Sequence, residues 1–233
     1  MSISEKGFGA RVSNAQDLLT HLKSFSGYLP PSQDLSVTAL EALIAEIKQH
    51  NDVTISAISN YSDAVDEREK LFKKEPASLF KLLSPINASA VAALGKKSKQ
   101  AENIMTLTRK IRGKKIKKLG KDPDAATISQ SEGSYGSLAQ SLADLIVILD
   151  GYSNTYTPSN ENITISALQE LYTAMQNGAK NVTAALGLQK RCRDLRAKNY
   201  EELNIITQRI KEAVKGQYTA SSTEYKLIKS LSI

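Results

Sequence analysis

Mostly apolar positions between residues 40 and 72 alternate steps of four and three: Leu40, Ile44, Ile47, Asn51, Thr54, Ile58, Tyr61, Val65, Arg68 and Phe72. That spacing predicts a long helix whose stripe is the seam of an antiparallel bundle. A shorter helix is expected before it, marked by Leu18, Leu19, Leu22 and Phe25, and another further on, marked by Leu138, Leu142, Leu145, Ile146 and Leu149. Breaks dense in Pro, Ser, Asn and Asp fall at 27–34 and 154–162, with a third around Pro76. Thr38 with Glu41, and Ser166 with Gln169, fit capping boxes that start the two long helices.

A lone amphipathic helix cannot bury its stripe, so each long helix is expected to turn back. Pro76 marks that return the first time. The second falls near Asn199, where an unbroken longer helix is the alternative. Returning helices are predicted over 78–94 and 201–215, ending at left-handed caps on Gly95 and Gly216. Pro85 should kink or restart the first of them. Short final helices are predicted over 98–112 and 222–231, which makes four helices each time.

The repetition is visible in the residues themselves. Sliding the chain by 128 places 28–72 over 156–200 without a gap, and nine of the 45 positions are identical, against roughly three expected by chance. Tyr28/Tyr156, Pro30/Pro158, Leu40/Leu168 and Leu43/Leu171 are among them, and both windows end in Asp-x-Arg-x-Lys-x-aromatic. With one inserted residue the preceding segments correspond as well. The chain reads as an internal duplication: 1–112 a first bundle, 113–137 a basic then polar linker, 138–233 a second bundle. The expected fold is all-α, two tandem related up-and-down four-helix bundles joined by that linker.

The pattern Y-x-P-x-x-x-x-(I/L)-x-(I/V)-x-x-L that opens each long helix, the Arg-x-x-x-aromatic that closes it, and "STEYKLI" at 222–228 together resemble a group of uncharacterised duplicated helical-bundle proteins of Bacteroidota-type bacteria. The resemblance covers most of the chain and implies the helical fold and a bacterial source. It implies no activity. The first copy departs from it, with "KKSKQAENI" where the second has "STEYKLI".

Charge sharpens the picture at one place. Residues 109–121 hold eight Lys or Arg and no acid, while the whole chain sums to +7, so the remaining residues sum to −1. The protein is near-neutral with one basic strip, and a uniformly cationic surface is not implied. Arg109, Lys110, Arg112, Lys114, Lys115, Lys117, Lys118 and Lys121 could hold RNA, DNA or another polyanion by releasing counterions, with Lys96, Lys97 and Lys99 extending the patch. No aromatic is interleaved for base stacking, and a solvated helix end and linker is the plainer reading. The apolar members of the strip are too sparse for a strong membrane-surface helix. The most apolar run, "LIVIL" at 145–149, is far short of the ~20 residues a membrane span needs. One cysteine, Cys192, rules out an internal disulfide, no secretory leader is read at the start, and a cytoplasmic location is expected.

The repeated motif contributes Asp66, Arg68, Lys70 and Phe72, then Asp194, Arg196, Lys198 and Tyr200. On a helix Asp66 and Lys70 can pair, as can Asp194 and Lys198, and each Arg can stack on the ring four residues on. These are read as structural contacts. His21 and His50 lack the Glu-x-x-His spacing of a di-iron bundle, and Glu46 with His50 is a weak pair alone. Cys192 has basic neighbours but no base or Gly-rich turn, and matches Ala64 under the 128-residue shift, so a core-lining role is expected. No catalytic set, cofactor site or metal site is expected. The functional reading is a non-enzymatic scaffold or protein-interaction module whose partner is an unknown protein. Polyanion binding through 109–121 is the alternative, and membrane-surface association comes third.

Overall fold

The structure, a computed structural model, describes residues 7–113 and 134–233, and the protein is all-α. Seven helices are described: α1 Phe8–Ser24, α2 Val37–Glu69, α3 Leu79–Leu94, α4 Lys99–Ile111, α5 Tyr135–Asp150, α6 Ile165–Tyr218 and α7 Thr223–Ile228. A π-helical turn, Lys70–Lys74, follows α2, and single 3-10 turns, Gln33–Leu35 and Glu161–Ile163, precede α2 and α6. Hydroxyl caps explain most of the starts. Ser98, Ser134 and Ser222 each accept the amide three residues on. The caps of α2 and α6 are Ser36, accepting from Ala39 N–H at 3.1 Å, and Thr164, accepting from Ala167 N–H at 3.2 Å. The expected boxes at Thr38 and Ser166 are therefore two residues late. Glu41, freed from capping, pairs with Lys23 at 2.8 Å.

The chain divides into two compact units, and their boundaries fall inside α2 and α6. One unit comprises Met1–Asn60 and Leu186–Ile233, the other Tyr61–Ala185. This division does not follow the expected 1–112 and 138–233. The reason lies in α6: the turn expected near Asn199 does not form, and the helix runs unbroken to Tyr218. Of the expected linker 113–137, Ser134 already caps α5 and 135–137 form its first turn; residues 114–133 lie outside the described residues.

In the first unit α1, the start of α2, the end of α6 and α7 share a core of Leu18, Leu22, Leu40, Ile44, Ile47, Leu203, Ile206, Ile210, Val214 and Ile228. In the second, α5, the start of α6, α3 and α4 share a core that includes Leu145, Leu149, Leu168, Met175, Leu79, Leu82, Ile86, Ala90 and Ile104. Position by position these cores correspond. Leu79, Leu82, Ile86, Ala90 and Ile104 are buried, and so are Leu203, Ile206, Ile210, Val214 and Ile228, each 124 residues later. Leu40 and Ile47 are matched by Leu168 and Met175, 128 residues later. Tyr28 Oη donates to Leu35 O at 3.1 Å, and Tyr156 Oη donates to Ile163 O at 3.0 Å.

The drop in offset from 128 to 124 means four extra residues in the first passage. They are taken up by the π turn and by residues 75–78, which break the helix before α3, whereas α6 has neither. The core around α3 comes from α4, α5 and the start of α6, so the break at Pro76 does not pair α3 with the first part of α2. Pro85 sits inside α3 without ending it. Gly95 has the expected positive φ of 84°, but Gly216 is helical, and its counterpart is Thr219, with φ 75°.

Candidate functional site

The repeated motif forms a contact in each unit that its own spacing does not foretell. The Arg68 guanidinium lies 3.9 Å from the centre of the Tyr135 ring, and that ring meets Phe72 edge-on with centroids 4.7 Å apart. Likewise Arg196 lies 4.3 Å from the Phe8 ring, which packs on Tyr200 at 4.7 Å. Each arginine thus stacks on a ring brought by a different helix, with the ring four residues along its own helix as the next layer. The Nε of both arginines is buried without a hydrogen-bond partner. Lys70 pairs with Glu67 at 2.6 Å, and Asp66 with Lys74 at 3.0 Å, so the expected Asp66–Lys70 pair does not form. Asp194 and Lys198 are exposed and do not pair among the described residues.

Around Tyr200 the two units diverge. Tyr200 Oη donates to Phe8 O at 3.0 Å and accepts from Asn51 Nδ2 at 2.9 Å, while Arg11 Nη2 donates to Tyr200 O at 2.7 Å. Asn199 Nδ2 stands 2.6 Å from His50 Nδ1 and 3.3 Å from Glu46 Oε1, and the His50–Glu46 separation is 3.7 Å. Thr54 Oγ1 donates to His50 O at 2.7 Å, with a second contact of 3.3 Å to Cys192 O. Asn199, Tyr200 and Thr54 are buried. In the other unit the positions of Glu46, His50, Asn51 and Thr54 are held by Ala174, Gly178, Ala179 and Val182, and those of Asn199 and Tyr200 by Leu71 and Phe72. Gly178 is close-packed there: a Cβ on it would stand 3.3 Å from Leu71 Cδ1 and 3.7 Å from Arg68 Cα. Under the 128-residue shift, polar side chains in one unit are matched by apolar ones or glycine in the other.

Set against protein-family models, curated proteins and solved structures, the chain matches none. What the layer can do therefore rests on its own chemistry. Burying polar groups such as those of Asn199, Tyr200 and Thr54 costs free energy unless they are hydrogen-bonded. Their bonds are directional and mutually satisfied except at Asn51 Oδ1. The sequence pairs Glu46 with His50 and notes that Cys192 matches Ala64, but Asn51, Thr54 and Asn199 go unremarked as a set. The signal lay in the 128-residue shift, read for its mismatches.

The basic strip is described only in part. Arg109, Lys110 and Arg112 are exposed at the end of α4, while Ile111 between them is buried in the core. Lys114, Lys115, Lys117, Lys118 and Lys121 lie outside the described residues. Lys96, Lys97 and Lys99 stand at the other end of α4, about 15 Å along the axis from Arg109, so that helix does not gather them into the strip. Burial pushes Tyr156 up to about 12, and Tyr28 upward from its ordinary value, by burial first and by nearby Tyr218 second. Lys211, whose Nζ donates to Leu231 O, is pushed down by burial. By length and composition alone, Val37–Leu94 contains a window apolar enough to cross a membrane, although the 145–149 run is the most apolar in the sequence.

Proposed function

We propose that the protein is a non-enzymatic helical scaffold that binds a protein partner, built from two copies of one helical segment folded into two four-helix units. The observation that carries this reading is the fate of the repeated arginines. A ring covers each guanidinium, and both arginines are spent on contacts between helices. The matching sets of buried residues support the two-copy origin. Photo-crosslinking in cells from exposed positions on both units, followed by mass spectrometry, tests the scaffold reading. It predicts the same partner at two or more neighbouring positions, and a uniform absence of crosslinks to any protein refutes it.

A second reading, polyanion binding, is favoured by the exposed cations Arg109, Lys110 and Arg112, which lead into the lysine-rich residues that follow them in sequence. Heparin retention and RNA mobility shift would then fall with salt, and Arg109→Glu/Lys110→Glu/Arg112→Glu would weaken both. Binding that ignores salt or these substitutions refutes it. Liposome flotation of the same chain tests membrane-surface association, which requires flotation with anionic vesicles.

A further inference from the structure

We propose that the polar layer around Tyr200 is a pairing key, which makes the first part of α2 accept the end of α6 and refuse the corresponding stretch of its own copy. The proposal rests on the two-copy reading and is indifferent to what partner the protein binds. If both copies are alike, each unit can be completed in two ways, by the trailing half of its own copy or by that of the other. The first would require α2 to fold back near Asn60, yet α2 continues through that residue as helix.

The two completions differ in what faces the layer. As observed, His50 stands beside Asn199, Asn51 beside Tyr200 and Thr54 beside Cys192 O. Moving back by 128 residues replaces Asn199 and Tyr200 with Leu71 and Phe72, whereas the Thr54 bond, made to a main-chain carbonyl, could equally be made to Ala64 O. His50 Nδ1 and the Asn51 amide would then lose the side chains that now satisfy them, because Leu71 and Phe72 offer neither donor nor acceptor. The reverse mismatch is as poor. Asn199 would face Gly178, a buried amide without its His50 partner, and Tyr200 would face Ala179, its hydroxyl without the Asn51 donor. The apolar layer cannot discriminate in this way, since apolar contacts are not directional. The stacked arginines cannot either, since both units have one. Specificity therefore comes from one matched polar set placed opposite one apolar set, as a buried polar residue fixes partners in a coiled coil.

The test erases the difference in the full-length chain. His50→Gly/Asn51→Ala/Asn199→Leu/Tyr200→Phe gives the first unit the residues of the second at the four positions whose side chains pair across the layer, leaving Glu46 and Thr54 in place. Wild type and variant are unfolded in urea, refolded at two protein concentrations, and examined by size exclusion with light scattering and by amide NMR. Wild type is expected to return as one species with one set of resonances. The variant should partition, with a tenth or more of the chains in a second monomeric form or in dimers. A variant that returns as one monomeric species with the wild-type exchange-protected amides overturns the proposal. If the fourfold variant does not fold, the same readout on Asn51→Ala/Tyr200→Phe decides, and a single refolded species there overturns it as well. Crosslinking of a partner to the wild-type chain tests the scaffold reading separately and is untouched by either result.

Discussion

Thr219 offers a sharp test of the correspondence between the two passages. Its φ is 75°, where a β-branched residue is strained, and its counterpart Gly95 has φ 84°. The surrounding bonds are alike: Ser98 Oγ donates to Gly95 O and Ser222 Oγ to Thr219 O, both at 2.9 Å. A left-handed conformation costs a non-glycine residue about 1–2 kcal/mol. Glycine removes that strain but loses about 0.5–1 kcal/mol through its greater freedom in the unfolded chain. The Thr219 hydroxyl is exposed and makes only a 3.3 Å contact to Ser221, so little else is lost. Thr219→Gly should therefore stabilise by about 0.5–1 kcal/mol, raising Tm by about 1–4 °C. Gly95→Thr is the mirror experiment. A Cβ there meets nothing within 4 Å, so its net cost, about 0.5–1 kcal/mol once the lost freedom of glycine is counted, would be purely backbone. Urea and thermal melts by circular dichroism measure both. A destabilised Thr219→Gly, or a neutral Gly95→Thr, would refute the reasoning.

Three further outcomes are expected. Tyr156 holds its proton up to about 12 when folded but only to about 10 when unfolded. Above pH 10 the unfolded chain therefore binds fewer protons, and stability should fall by roughly 2–3 kcal/mol between pH 10 and 12; Tyr156→Phe should flatten that slope in urea midpoints taken across the range. Gly187 lies in α6 with open space around it, so Gly187→Ala should add about 0.5–1 kcal/mol. Gly178→Ala should add less, because its Cβ must displace the Leu71 methyl; equal gains in chemical denaturation would count against the close packing. Phe72 is fully buried beneath Tyr135, and Phe72→Ala should cost about 3–5 kcal/mol, seen first as lost amide protection in α3 and α5.

The seam along α2, the two short leading helices and the start of α3 were legible because a stripe of apolar residues states its own period. The starts of the short final helices at 98 and 222 were legible too, though not the serine caps that set them. The pairing was not legible. Whether a helix turns at Asn199 depends on what its far half can bury, and the residues there, Tyr200, Leu203, Ile206 and Ile210, read the same in a hairpin and in a straight helix. The arginine stacks were half visible: spacing placed Arg68 near Phe72, but Tyr135 arrives from α5, more than sixty residues away in the chain. The polar layer escaped because each member is unremarkable alone. Only beside Gly178, Ala179, Val182 and Leu71 does it become a pattern.

The break between the π turn and α3 also governs which changes in length the chain can absorb. Because residues 75–78 interrupt the helix, one residue more or fewer there need not rotate Leu79, Leu82 or Ile86 away from their neighbours. The equivalent stretch of α6 has no such slack, and one added residue would turn everything downstream by about 100°, carrying Leu203 and Ile210 toward solvent. Natural insertions, tags and loop grafts should therefore be tolerated at Pro76 and rejected near Asn199, so that the two places differ in their freedom to diverge.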